Sequence, residues 1–467
     1  MTRVRFFRTF SLGAVFCIVT SLIATGQTFK TLYSFNSTNY FPGNLVQGRN
    51  GTLYTDSGLG GTHGWGSISN VSFNGVSAIY NFCSLANCAD GSYPMGVVLG
   101  ADGNLYGTTF SDPTVFKVTP AGSLTTLHTF CSEPKCADGS GPESGLTQAA
   151  NGSFYGVSFY GGNSADGGTL FEINSTGKFN RLYQFCSQSG CTDGASPNSA
   201  PIQGSDGNFY GTTAWGGAYN LGTVYVLTVP GQPQTLYSFT SGTNWSVGPS
   251  HLIQANDGNI YGLTSGGGAT GYGSVFRITP GSGQFSTVYD FCSQSNCMDG
   301  YSPTSLLQGP DGNFYGTTGG GGTGSGTVFK LTADGILTTL HNFCQQAHSL
   351  DGSEPLSLTL ATSGKLYGTA SSGGKSGDGT LFSLDIGFMP FAQANPIGGQ
   401  TGSVIGVLGN GLTGATSVTF NGVPATAFSV ISDTFLRASV PLGATTGAIQ
   451  VTTPTGSLTS IVNFQVR

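Results

Sequence analysis

The sequence predicts an all-β protein, and three observations carry that prediction. A unit of about 52 residues recurs seven times. Within each unit, short runs rich in Val, Phe, Tyr and Thr alternate with glycine-bearing turns. No stretch sustains the 3.6-residue apolar period of a helix. The repeat is anchored by Tyr54, Tyr106, Tyr155, Tyr210, Tyr261, Tyr315 and Tyr367, spaced 49 to 55 residues apart.

The sixth unit is the clearest: "LLQGPDGNFYGTTGGGGTGSGTVFKLTADGILTTLHNF", from Leu306 to Phe343. It holds four strand-like runs. Pro-Asp-Gly joins the first two, a glycine-rich loop joins the second to the third, and Ala-Asp-Gly joins the last two. Glycine suits such turns because a positive φ costs it little. Four antiparallel strands per repeat make a β-propeller blade. The fourth-strand motif also occurs seven times, at Leu32, Ile79, Leu127, Leu182, Leu236, Val288 and Leu340. Its first copy precedes every other element, and the last unit has none after it. The expectation is therefore a seven-bladed propeller over residues 27–387, with the N-terminal strand near Leu32–Phe35 completing the seventh blade.

Composition narrows the function classes. The chain has 467 residues, 77 of them glycine and 20 proline; charged residues make up 8% and the net charge is -6. No basic patch is available for nucleic acid. Aromatic residues, at 12%, supply apolar surface for a core. Residues 1–26 read as a signal peptide. Arg3, Arg5 and Arg8 precede the short apolar run Leu12–Ile23, and Ala24 and Gly26 fit a cleavage site before Gln27. No later run is long and apolar enough for a membrane span. A secreted monomer is expected.

Eight cysteines form pairs at one spacing, in "FCSLANCADG", "FCSEPKCADG", "FCSQSGCTDG" and "FCSQSNCMDG": Cys83/Cys88, Cys131/Cys136, Cys186/Cys191 and Cys292/Cys297. In an exported chain these read as local disulfides that staple the connection between blades. Zinc would need four ligands in one place, which pairs so far apart do not offer. Cys344 is left as a free thiol.

After residues 388–396, read as a linker, residues 397–467 differ. Gly399–Gly402, Gly409–Leu412, "VTFNGVPA" at Val418–Ala425 and "VPLGATTGAIQV" at Val440–Val451 resemble the IPT/TIG family. That resemblance implies an immunoglobulin-like β-sandwich serving as a spacer or binding module. The repeats resemble the choice-of-anchor tandem-repeat family of exported bacterial proteins, through "DGNFYGTT" at Asp311–Thr318 and "GTVFKLT" at Gly326–Thr332. The first unit departs from it, with "GSISNVSFNG" where a third strand belongs.

No nucleophile–base motif, cofactor pattern or metal set stands out. Asp102, Asp206, Asp257 and Asp311 sit in hairpin turns, where turn chemistry explains them. The same holds for Asp90, Asp138, Asp193, Asp299 and Asp351 in the Asp-Gly-x-x-Pro turns. The candidate ligand-binding residues are aromatic: Trp65, Tyr160, Trp215, Tyr219 and Tyr272 stand among glycines in loops between second and third strands. Connectivity puts these loops on the same face as the cysteine loops. The expected role is a non-catalytic binding or scaffold protein for an extracellular polysaccharide or a surface protein. The alternative is a glycan-active hydrolase or lyase on that face, with Glu133, Glu143 or His251 converging near the axis.

Overall fold

The computed structural model describes residues 27–36, 39–72, 75–240, 248–346 and 349–467. The segment read as a signal peptide, residues 1–26, lies outside them. The described residues form strands joined by turns and loops. None of their helices is long and apolar enough to cross a membrane.

Among the described residues, four short helical turns lie in the cysteine loops. The second cysteine of each pair ends a three-residue 3-10 turn: Ala86–Cys88, Pro134–Cys136, Ser189–Cys191 and Ser295–Cys297. The reason is geometric. Five extended residues would carry the chain ~17 Å, yet the paired Cα atoms are 3.9–4.0 Å apart. The backbone must turn back within the loop. It does so through an i to i+3 bond: Cys88 N donates to Leu85 O at 3.1 Å and Cys297 N to Gln294 O at 3.0 Å. A turn this short has no apolar period for a sequence to show.

Seven antiparallel sheets follow one another from residue 28 to 385. The sixth runs Tyr301–Gln308, Phe314–Gly320, Thr327–Leu331 and Leu337–Asn342, each strand pairing with the next. The others span 39–81, 92–129, 147–184, 195–238, 249–290, and 353–385 with 28–34. In the last, Thr28–Ser34 pairs antiparallel with Thr380–Asp385 and supplies the outermost strand. Ser67–Ser72 forms the third strand of the first sheet, despite its atypical sequence.

Side-chain chemistry explains the repeat signature. The glycine after the anchoring tyrosine pairs with a third-strand aromatic whose ring lies over it. A Cβ on Gly107, Gly156 or Gly316 would stand 2.5–2.6 Å from Phe116, Phe171 or Phe329. In the first sheet both members change together: Thr55 replaces the glycine and faces Ser69. The innermost strand carries a proline in six sheets, at Pro42, Pro94, Pro197, Pro249, Pro303 and Pro355, and in the third Pro142 lies just ahead of it. Proline is tolerated there because that strand is a sheet edge. Its ring sits against the glycine before the third strand of the preceding sheet, as Pro94 does on Gly66 and Pro355 on Gly326.

The core lies between sheets. Tyr106, Val115 and Phe130 pack with Leu146, Phe154 and Phe171 of the next sheet. Tyr106 and Phe154 stack at 4.0 Å, and Tyr155 and Phe209 repeat the contact at 4.0 Å. A glutamine clasp adds a polar tie. Gln148 Oε1 accepts from Ala101 N at 2.8 Å, Gln203 from Ala150 at 3.0 Å, Gln254 from Ser205 at 2.7 Å and Gln308 from Asn256 at 2.9 Å. Gln47 accepts from Thr362 N at 2.8 Å, so the seventh sheet meets the first through the same bond. Phe35, Leu45, Leu53 and Leu381 form the apolar part of that contact.

The last residues form two facing sheets. One contains Gln393–Asn395, Val404–Leu408, Phe435–Ser439 and Phe428–Ser432. The other contains Val423–Pro424, Ser417–Phe420, Ile449–Thr453 and Gly456–Thr459. Ile405, Val407 and Leu436 meet Val418, Phe420 and Ile449 between them. Gln393–Asn395, inside the stretch read as a linker, is thus the first strand of this module. The module rests on the first-to-second-strand turns of the repeats. Thr434 Oγ1 donates to Arg49 O at 2.7 Å, Thr362 Oγ1 to Gly409 O at 2.8 Å and Asn395 Nδ2 to Leu99 O at 2.9 Å. The Arg49 guanidinium lies 4.4 Å over the Phe435 ring.

Candidate functional site

The cysteine pairs are disulfides: Cys83–Cys88, Cys131–Cys136, Cys186–Cys191 and Cys292–Cys297, each across five positions. Cys344 is the free cysteine among the described residues. Inside each loop the turn aspartate is a structural acceptor. Asp90 Oδ2 receives Ser84 N at 2.9 Å, Ser84 Oγ at 2.9 Å and Tyr80 Oη at 2.6 Å. Burial alone would raise its pKa, but these donors outweigh burial and hold it below the ordinary carboxylate value. Asp193 and Asp299 repeat the pattern with Tyr183 and Tyr289. At two junctions histidine replaces tyrosine. His128 Nε2 lies 3.1 Å from Asp138, and His341 Nε2 lies 3.2 Å from Asp351. Both rings also stack on the next sheet, on Phe179 at 3.8 Å and on Phe29 at 3.6 Å. The Asp-Gly-Asn turns are satisfied too: Asp102 accepts from Asn104 and Tyr106.

The aromatic loops lie against the cysteine loops. Gly217 N, two residues after Trp215, donates to Cys191 O at 2.9 Å, and Gly162 N, two after Tyr160, donates to Cys136 O at 2.9 Å. Trp65 O accepts from Tyr93 N at 3.0 Å, and Tyr272 O from Ser302 N at 2.9 Å. Those amides precede the innermost-strand prolines, so these residues stand where the innermost strands begin. Tyr160 bridges to Ser140, and Trp215 pairs with Ala195, at equivalent places. Trp65, Tyr160, Trp215 and Tyr272 therefore each stand beside the start of a first strand, each 41–46% exposed. Tyr219 does not. The preceding residue, Ala218, donates to Ser238 in the outermost strand, and Tyr219 lies farther from the axis.

The structure adds two aromatics to this rim. Tyr93 meets Trp65 edge-on at 5.5 Å, and Tyr301 lies 5.8 Å from Tyr272. Both occupy the variable places of the Asp-Gly-x-x-Pro turn, a signal available in the sequence. Three ionisable residues complete the surroundings. Glu143 follows Pro142 and its carboxyl is pushed up by burial. His251 lies on the innermost strand Pro249–Gln254, and burial lowers its basicity. Asp56 is buried in the second strand of the first sheet and raised to about 7 by burial, against the opposing hydrogen bond from Gly96 N. Glu133 does not approach the axis; it is exposed on a cysteine loop, 3.4 Å from Arg181. Among the described residues no group of three or more His, Cys, Asp or Glu could hold a metal.

These features define a β-propeller-like repeat protein with an aromatic-rimmed face. The chain belongs to the Gloeobacter/Verrucomicrobia repeat family, whose model matches residues 8–203 and 196–428. That family, and not the choice-of-anchor family, is what the match shows. No curated protein matches the sequence. Among solved structures, a streptogramin B lyase is similar at 15% identity and TM-score 0.53, over 77% of this chain and 97% of that one. A catalytically inactive virginiamycin B lyase from Staphylococcus aureus, solved with quinupristin, aligns at 17% identity and TM-score 0.53, over 77% of this chain and 99% of that one. The extracellular domain of a one-component system from B. thetaiotaomicron aligns at 11% identity and TM-score 0.55, over 93% of this chain and 48% of that one. At these identities the likeness concerns fold alone. The four disulfides belong to the chemistry of an oxidising compartment.

Proposed function

We propose that the protein is an exported binding protein. In this reading a seven-bladed propeller, closed by Thr28–Ser34 and carrying an immunoglobulin-like module, holds an extracellular saccharide on its long-loop face. The observation that carries it is the exposed aromatic rim of Trp65, Tyr160, Trp215 and Tyr272 at the start of the innermost strands. Aromatic faces stack on the apolar faces of sugar rings, and rings held by short glycine loops lose little entropy on binding. A surface protein is the other partner such a rim could anchor. A glycan array tests the reading. The mature protein should bind a defined set of glycans, and Trp215→Ala should weaken that binding about tenfold, or 1.4 kcal/mol. Its melting temperature should stay nearly unchanged. An array with no binders would count against the saccharide.

A second reading, a glycan-active hydrolase or lyase, is favoured by one observation. Burial raises the Glu143 carboxyl and lowers His251 basicity, which moves both toward the neutral forms that a general acid and a general base need. Glu143 would donate a proton and His251 would accept one. Turnover in a panel of polysaccharides, abolished by Glu143→Gln and by His251→Asn, would replace the binding role with this one.

A further inference from the structure

The innermost strands of the seven sheets surround an axis, and the two ends of that axis differ. At one end is the aromatic mouth. At the other, a cavity of about 340 Å³ is lined by innermost-strand residues of four sheets, among them Val46, Val98 and Thr359, together with Asn395, Ile397 and Leu408 of the C-terminal module. A second cavity of about 280 Å³, beside it, shares Thr359, Leu360 and Ile397. Residues from four sheets converge on one void only near the axis, so the module sits across the channel's end.

The glutamine clasp shows that the repeats are adapted to this seat. Five junctions carry it, and Leu99 and Leu360 stand in the glutamine's place at the other two. At the second, the donor residue is Pro310, which has no N–H to offer. The two departures fall where the module rests. Leu99 packs with Leu408 and Phe435, and Leu360 lines both cavities.

Between the ends the channel changes character. His251, on the innermost strand Pro249–Gln254, is solvent-exposed. The floor beyond it is mostly apolar, with Val46, Val98, Ile397 and Leu408 among its lining, but Gln47, Gln148, Thr359 and Gln393 bring polar groups to it as well. Asn395 gives its Nδ2 to Leu99 O, and its buried Oδ1 has no partner. From Pro94 to Leu99 the wall is ~17 Å long at the rise of a strand.

We propose that the channel is a one-ended pit, floored by the C-terminal module, that receives the apolar end of an amphipathic ligand whose polar part rests on the aromatic mouth. The class of ligand is a glycoside with an alkyl or aryl aglycone. The proposal rests on the binding reading above for its mouth and on the cavity for its floor. An internal stretch of polymer could not thread a pit closed at one end.

Displacement of the apolar dye N-phenyl-1-naphthylamine from the whole mature chain tests it, with n-alkyl β-glucosides from hexyl to nonyl kept below their micelle concentrations. Each added methylene should tighten binding about fourfold, the factor for burying one CH₂. Val98→Trp, which fills the floor, should flatten that series; if this variant does not fold, the wild-type series decides alone. Loss of dye binding, or displacement independent of chain length, overturns the pit. If chain length matters while Trp215→Ala has no effect, the pit stands and the aromatic mouth falls. If Trp215→Ala weakens every glucoside equally and chain length does not matter, the mouth stands and the pit falls.

Discussion

Asp56 stands where the other repeats place Thr108, Val157, Thr212, Leu263, Thr317 and Thr369. The threonines there are neutral donors: Thr108 donates to Ser144 O at 2.7 Å and Thr369 to Gly43 O at 2.8 Å. Asp56 accepts from Gly96 N at 3.1 Å and leaves Oδ1 buried without a partner. Its folded value of about 7 lies above the ordinary 3.8. The native state therefore holds the extra proton between those values, and stability falls as pH rises from about 4 to 7. The expected penalty at pH 8 is on the order of 2–4 kcal/mol. Asp56→Asn keeps the acceptor without the charge. It should melt above wild type at pH 8, with the gain shrinking toward pH 4; an equal shift at both pH values would contradict the assignment. Residue roles of this kind were only partly legible. The cysteine pairs could be read from spacing because a disulfide is local. Tyr93 and Tyr301 stand in turns that the sequence shows, but Asp56 could not be read, because its meaning lies in a register that becomes visible only when strands are aligned.

At the scale of the element, the cysteine loop is one backbone shape with interchangeable staples. The first cysteines, Cys83, Cys131, Cys186 and Cys292, have φ of 56–57°, and the second, Cys88, Cys136, Cys191 and Cys297, have 49–52°. Cys344 and Ser349 hold 62° and 51°, and Cys344 Sγ already meets Ser349 Oγ. Ser349→Cys should therefore close a fifth disulfide, seen as loss of the free thiol and a decrease of about 2 Da beyond the substitution. The gain should reach about 2 kcal/mol at most, since the loop is short. A variant with two titratable thiols would show that the sixth loop has diverged in shape. The outer strands carry a second device. Burial lowers the basicity of His128 and His341, against the opposing pull of Asp138 and Asp351. The unfolded chain then binds more protons just below the ordinary imidazole value of 6.5, so stability is lost as pH falls through that range. His128→Tyr/His341→Tyr, which copies the tyrosine of the neighbouring sheets, should lose less melting temperature between pH 7 and pH 5 than wild type. An identical loss would place the acid sensitivity elsewhere. The first sheet shows why element boundaries in the sequence can mislead. Its third strand lacked the aromatic signature because Thr55 had already replaced the glycine that needs it.

For the whole molecule, order and pairing of the strands followed from counting fourth-strand motifs. Thr28–Ser34 pairs with Thr380–Asp385, the partner that counting assigns to it. Deleting residues 28–35 should expose an unpaired edge, remove Phe29 from His341 and Phe35 from the junction core, and cause aggregation or a large fall in melting temperature. A deletion variant that melts like its parent would deny the ring its closure. The seat of the C-terminal module was not legible in advance, because its signal is two leucines where a glutamine recurs, a negative pattern with no motif of its own. With that module on the turn side, the face proposed for binding is the opposite one. The most direct test is titration calorimetry with a glycan found by array screening, using wild type, Trp65→Ala/Trp215→Ala and the turn-side variant Lys178→Ala. Binding on the long-loop face predicts at least a tenfold loss of affinity for the double variant and none for Lys178→Ala. Full affinity in Trp65→Ala/Trp215→Ala, with loss in Lys178→Ala, would contradict it.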